Sequence, residues 1–101
     1  MPAVFFFEGE PLNVITTTYA LGGVAVQTFD AEGEPYATLS VLLPESQHLP
    51  ANAFFLKDYS ENAAVAAAFV AAGLATPLDH PAARAGFVWV QPYQLTEKAT
   101  A

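Results

Sequence analysis

NVITTTYALGGVAVQTF, residues 13–29, is the stretch that decides the fold. Its first seven residues are β-branched or aromatic almost throughout, and such side chains favour a pleated, half-buried surface over a helix. The pair Gly22-Gly23 accepts the positive φ that a tight hairpin needs. Beyond it, Val24, Val26 and Thr28 alternate with other residues, which is typical of a strand. The stretch therefore predicts two neighbouring antiparallel strands.

One further strand is predicted on each side of this hairpin. The aromatic run at residues 4–7 precedes it, and residues 36–43 follow it with apolar residues on one face. Turns rich in Gly and Pro separate them from the hairpin, at residues 8–11 and at residues 30–35. Four consecutive strands with short turns imply an antiparallel meander.

The second half of the chain predicts one helix. An alanine-rich run extends from about Ser60 to Ala72 and stops at Gly73. Asp58 and Glu61, three residues apart around the start of this helix, have the form of a capping box. The core stripe is expected at Val65, Phe69 and Ala72. The helix has almost no polar side, so it is covered on more than one side or lies in a dimer contact.

Residues 52–57 predict a fifth short strand or extended segment, and residues 86–91 predict a late strand around Trp89. Residues 95–101 resemble a frayed tail. The expected fold class is α+β: an antiparallel β-meander of four to five strands, with one Ala-rich helix packed on it and a C-terminal strand.

Composition indicates one folded domain over residues 1–101. Hydrophobic residues make up 53% of the chain and charged residues 13%, which excludes disorder. The chain has no cysteine, so disulfide and thiol chemistry are excluded. Its apolar start lacks a basic segment and stops at Glu8, and no run is long enough to span a membrane. A soluble, cytoplasmic protein is predicted.

Ten acidic residues oppose three basic ones, which gives a net charge of -7. Alternate turns of a meander lie at the same end, so the turns at residues 8–11 and 30–35 should be neighbours. The later segment at residues 58–61 should return to that end. We call the seven acids of these segments the acidic rim: Glu8, Glu10, Asp30, Glu32, Glu34, Asp58 and Glu61.

Two interpretations of the acidic rim stay open. Asp58 and Glu61 are explained by helix capping and the helix dipole. The five hairpin acids are either turn residues that keep an apolar body soluble, or a binding surface. As a surface, they predict a protein partner with a basic face, such as one that normally holds nucleic acid. The same charge disfavours direct binding to nucleic acid or to a membrane, and no cofactor is predicted.

Other functions have weaker sequence support. Asp30, Glu32 and Glu34 supply oxygen ligands for a cation, but their spacing does not match the twelve-residue calcium loop, so no metal site is predicted. His48 and His80 have no recognisable nucleophile partner, so no catalytic residue and no enzyme activity are predicted.

Two further features leave alternatives open. Phe87, Trp89 and Tyr93 could line a ligand site, although alternating aromatics on a terminal strand more often form core. The apolar helix, or an unpaired strand edge, would support a homodimer.

Residues 33–62 contain three segments that resemble a family of small uncharacterised proteins from bacterial plasmids and phages. The segments are GEPYATLSV at 33–41, LPE at 43–45 and FFLKDYSEN at 54–62. Relatives in that family often have Asn where this chain has Leu42. The resemblance transfers no catalytic residue. It implies an acidic accessory protein of a mobile element in a bacterial host cell, of the kind that inhibits host defence complexes, such as an anti-CRISPR or antirestriction inhibitor. The alternative is an accessory protein that binds a small molecule or a cation.

Overall fold

The structure is a computed structural model that describes residues 3–20 and 22–100. Met1, Pro2, Leu21 and Ala101 lie outside the described residues. Leu21 is one position of the predicted glycine turn, and Ala101 is the last residue of the predicted tail. Within the described ranges, every helix is too short or too polar to cross a membrane.

The first four strands form one antiparallel sheet in the order β1-β2-β3-β4. They are β1 (Ala3–Phe7), β2 (Glu10–Thr18), β3 (Val24–Phe29) and β4 (Pro35–Thr38). The predicted meander is confirmed. Phe7 pairs with Glu10, and Phe29 pairs with Pro35. Phe29, the last residue of β3, pairs with Asn13 near the start of β2. The β1–β2 turn directly precedes β2 and the β3–β4 turn directly follows β3, so both turns lie at the same end of the sheet.

Six shorter strands follow: β5 (Ser40–Val41), β6 (Ala53–Leu56), β7 (Ala75–Pro77), β8 (Ala83–Ala85), β9 (Val88–Val90) and β10 (Pro92–Leu95). Four of them form a second antiparallel sheet in the order β5-β6-β10-β7, and β8 pairs with β9. The predicted fifth strand is therefore present as β6, but it lies in the second sheet. All four of its residues are buried, which explains why it shows no alternation.

The predicted fourth strand divides at Leu39 into β4 and β5, which belong to different sheets. Leu39 is fully buried, and its amide still donates to the Val26 carbonyl at 2.8 Å. The Ser40 hydroxyl then accepts the Val26 amide at 2.9 Å. A side chain therefore replaces a ladder hydrogen bond where the chain passes from one sheet to the other.

Helix α1 (Ala63–Ala71) follows a 3-10 turn at Ser60–Asn62 and packs between the sheets. Val65, Ala66 and Phe69 face the core, which confirms two of the three predicted stripe positions, whereas the third, Ala72, lies just after α1 and is half-buried. The Phe69 ring meets Phe5 of β1 edge-on at 5.5 Å between ring centres, and Phe54 of β6 at 6.5 Å. One aromatic side chain thus joins the helix to both sheets.

The predicted capping box does not form. Tyr59 and Asn62 occupy the N-cap positions of the 3-10 turn and of α1, and neither makes a side-chain capping bond. The side-chain amide of the buried Asn62 instead donates, through Nδ2, to the Thr38 carbonyl of β4 at 2.6 Å. This long-range bond fixes the start of the helix, so Asp58 has no capping role.

The predicted tail is also more ordered than expected. Strand β10 extends to Leu95, and a short helix α2 (Glu97–Thr100) follows. Leu95 and Ala99 are buried, and the Thr96 amide donates to the Leu74 carbonyl at 3.1 Å. Burial of these two apolar side chains holds the segment against the body, whereas the prediction considered only its position at the end of the chain.

Candidate functional site

The β1–β2 turn presents its first acid from a strained backbone. Glu8 has a φ of 53° and Gly9 a φ of 80°, which is the sign pattern of a type I′ hairpin turn. Gly and Asn are the residues that adopt this conformation readily, and an L-residue with a longer side chain does so at a cost. A glutamate at this position therefore costs stability that another residue would not.

The β3–β4 turn is held by its own first acid. The Asp30 carboxylate accepts the backbone amides of Glu32 at 3.0 Å and Glu34 at 2.9 Å through one oxygen, Oδ1. The Asp30 amide also donates to the Glu34 carbonyl at 2.9 Å. Asp30 thus has a structural role in the turn, which the sequence prediction missed, while Glu32 and Glu34 extend from a fixed backbone.

The two acidic turns lie side by side. Glu8, Glu10 and Asp30 all border one recess of about 360 Å³. Its apolar wall consists of Leu12 and of the Phe7 and Tyr36 rings, which meet edge-on at 6.1 Å between centres. Three carboxylates from two different hairpins therefore surround one opening at the end of the meander.

Of the other four members of the acidic rim, Glu32 and Glu34 lie on the same turn as Asp30, and Asp58 and Glu61 lie on the segment before α1. Asp58 borders a second recess of about 430 Å³ beside α1, whose lining is mostly apolar: Leu56, Ala63, Ala67, Val70, Ala71 and Tyr93. Glu61 is exposed on the 3-10 turn that precedes α1. The structure thus brings Glu8, Glu10 and Asp30 together, and it places Asp58 at a different opening.

The three basic side chains are engaged by other groups. Lys98 donates to the Ala72 carbonyl at the end of α1, at 2.8 Å. The guanidinium of Arg84 lies 5.7 Å from the centre of the Trp89 ring, and the Lys57 ammonium lies 5.9 Å from the centre of the Tyr59 ring. These contacts are with a carbonyl group and with aromatic rings, and not with carboxylates of the acidic rim.

Two of the three late aromatic residues are not core, which corrects the interpretation favoured by their alternation, whereas Tyr93 of β10 is half-buried and packs against the main core. Phe87, next to the Gly86 turn, is 99% exposed, and Trp89 is 66% exposed on the outer face of the β8–β9 hairpin. The inward residues of this hairpin, Ala83 and Val90, pack on Phe55. Alternation predicted the strand correctly, but it could not show which face would be covered.

The cation and enzyme alternatives gain little from the geometry. Across residues 3–20 and 22–100, no three His, Asp or Glu side chains are grouped so that they could hold a metal ion. One oxygen of the Asp30 carboxylate, Oδ1, already accepts two backbone amides. His48 is exposed at the end of a 3-10 turn, and His80 is half-buried, with its Nδ1 without a hydrogen-bond partner in the described chain.

Comparisons of this chain with protein-family models, with curated proteins and with solved structures give no match. The resemblance of residues 33–62 to plasmid and phage proteins therefore stays a prediction.

Proposed function

We propose that the protein is a non-catalytic binding module whose hairpin acids dock on a basic surface of a protein partner. The observation that carries this proposal is the recess shared by Glu8, Glu10 and Asp30, with Glu32 and Glu34 on the adjoining turn. In a chain of net charge -7, these acids form a negative field at one end of the fold.

The rigidity of the turns supports this function. Two backbone bonds to Asp30 fix the positions from which Glu32 and Glu34 extend. Binding then orders few backbone degrees of freedom, which lowers its entropic cost. Complementary fields also raise the association rate and orient the partners. Carboxylates on such turns can take the positions that phosphates would occupy on a nucleic-acid-binding protein.

The sequence resemblance gives this proposal its biological form. An acidic protein of a plasmid or phage, docked on the nucleic-acid-binding surface of a host defence complex, would act there as an inhibitor. Anti-CRISPR and antirestriction activity are the two forms that we propose to test first.

A second candidate is a small-ligand accessory protein, because the recess between the hairpins combines an apolar wall with three carboxylates. Such a site would suit a small organic amine better than a metal ion, because no three acidic or histidine side chains of residues 3–20 and 22–100 are grouped to hold a metal. A ligand that binds only the native state raises its stability. Titration with a small organic amine should then raise the melting temperature, with calcium and magnesium as the comparison, and an unchanged melting temperature with all three would count against this candidate.

The main proposal is tested by reversing the same number of acidic charges at two different places on the surface. One variant carries Glu8→Lys, Glu10→Lys and Glu32→Lys in the hairpin turns. Its control carries Glu45→Lys, Asp79→Lys and Glu97→Lys, which are exposed acids elsewhere on the chain. Both variants have the same net charge, so only the position differs.

The partner is first captured from a bacterial host lysate with the wild-type protein and identified. Its affinity for each variant is then measured over a range of salt concentrations. The hairpin variant should lose most of the affinity and most of the salt dependence, while the control keeps both. Equal losses in the two variants would show that bulk charge, and not the hairpin turns, drives binding.

A further inference from the structure

The outer face of the meander is not covered by the helix or by the second sheet. Side chains alternate along β1, where Phe5 is buried against α1 and its neighbours point outward. Phe6 is 70% exposed and Val4 47% exposed on that outer face. Ile15 of β2 is 40% exposed on the same face. An antiparallel sheet with one solvated face normally presents polar side chains there, so this face departs from the usual pattern.

The strand register concentrates these apolar side chains near the acidic turns. Phe6 lies opposite Pro11, and Val4 and Phe29 lie on either side of Asn13. We call Val4, Phe6, Pro11, Ile15 and Phe29 the apolar half-face.

The other half of the same face carries smaller and more polar side chains. It begins beside Ile15, whose partner Gln27 in turn pairs with Thr38. Further from the acidic turns, Thr17 pairs with Ala25. The apolar character is thus graded along the strands, and it is greatest beside the turns that carry Glu8 and Asp30.

We propose that the apolar half-face is the centre of the docking surface, and that the partner matches it with an apolar patch bordered at one edge by Lys or Arg. This inference rests on the proposed function and specifies which part of the surface supplies affinity. Exposed apolar patches with a charged border mark interaction sites. Exposed aromatic side chains such as Phe6 commonly dominate binding energy, while border charges mainly set rate and orientation.

The charge of the chain favours this occupant over others. A second copy of the chain would carry the same charge of -7, and its acidic turns would repel those of the first. An anionic lipid surface or a nucleic acid would be repelled for the same reason. A protein surface with cations beside an apolar patch complements both features at once.

The test uses two synthetic peptides of equal length and charge as probes. Each has a block of Lys at one end. In the first peptide the remainder alternates Leu with Thr, and in the second Ser replaces Leu. The variant is Phe6→Thr, which keeps a strand-forming residue at an outward position. Phe87→Thr is the matched control, because Phe87 is an exposed aromatic residue on a different hairpin.

The wild-type protein should bind the Leu peptide about tenfold more tightly than the Ser peptide, as expected if one large apolar side chain is buried. Phe6→Thr should abolish this difference, and Phe87→Thr should preserve it. Circular dichroism of each variant confirms that the fold is kept. An unchanged preference in Phe6→Thr would overturn the inference.

The outcomes separate this inference from the proposed function. If the hairpin charge variant binds both peptides as tightly as the wild type, the proposed function fails. If that variant loses both peptides but Phe6→Thr keeps the Leu preference, only the inference fails. Two further results would also overturn the inference. If the mass in light scattering rises with concentration and Phe6→Thr abolishes that rise, the occupant is a second copy of the chain. If the protein binds anionic vesicles and Phe6→Thr abolishes that binding, the occupant is a membrane.

Discussion

Replacement of Glu8 by Asn should stabilise the protein, although it removes an acid from the proposed binding surface. The φ of Glu8 is 53°, in the left-handed region. An L-residue there costs roughly 1–2 kcal/mol, and Asn tolerates the conformation better than Glu. Gly would relieve the strain but would lose roughly 0.5–1 kcal/mol through the entropy of the unfolded chain. Asn should therefore recover about 0.5–1 kcal/mol of folding free energy.

The charge of Glu8 adds a second, smaller contribution. Glu10 and Asp30 border the same recess, so removing one carboxylate relieves repulsion. Between exposed groups this effect is worth a few tenths of a kcal/mol and is screened by salt. Glu10→Gln removes a charge from the same recess without changing the backbone requirement, and it is therefore the matched control.

The assay is urea denaturation followed by far-ultraviolet circular dichroism, at low and at high salt. Glu8→Asn should raise the free energy of unfolding by more than Glu10→Gln does, and the excess should persist at high salt. A gain of 1 kcal/mol would raise the melting temperature by about 4–8 °C in a domain of this size. If the two variants gain equally, or if the gain disappears at high salt, the backbone explanation is refuted.

Two further predictions concern the structure that supports the site. Asp30→Ala should lower the free energy of unfolding by about 1–2 kcal/mol, because two backbone bonds to the carboxylate are lost. Asp30→Asn keeps an acceptor oxygen, so it should lose less. Urea denaturation of both variants measures these losses, and equal losses would contradict the prediction. Phe69→Ala should lower the free energy of unfolding by about 3–5 kcal/mol, because the fully buried ring packs on both Phe5 and Phe54. A loss below about 1 kcal/mol in the same assay would show that the helix does not depend on this contact.

Local patterns in the sequence predict the meander, because its strands pair with their neighbours along the chain. The strand alternation and the glycine turn of residues 13–29 are sufficient for that part. The second sheet could not be predicted in the same way. Its central pair joins Phe54 of β6 to Tyr93 of β10, which are far apart in the sequence. Such pairings depend on contacts between distant parts of the chain, which local sequence patterns do not encode.

The candidate site shows the same division. The neighbouring positions of the two acidic turns follow from the order of the strands, so the sequence was enough to place Glu8 near Asp30. The wrong capping role of Asp58 arose because the motif was judged locally, while a bond from Asn62 to Thr38 fixes the start of the helix. One feature of the sequence could have predicted the exposure of Phe6. All five residues of β1 are apolar, but only one face of an outer strand meets the core, so some of these side chains must be exposed.

The two ends of the meander differ in a way that favours a partner at the acidic end. At the glycine end, a Cβ on Gly22 would lie 3.0 Å from the Gln47 Cα, so the loop between β5 and β6 already packs against that turn. At the acidic end, a Cβ on Gly9 or Gly33 would meet nothing within 4 Å, and the recess between the turns is open. The chain thus covers its uncharged end with its own backbone and leaves its charged end accessible. The hairpin acids thus lie where a partner could reach them, beside the apolar half-face, as the proposed binding surface requires.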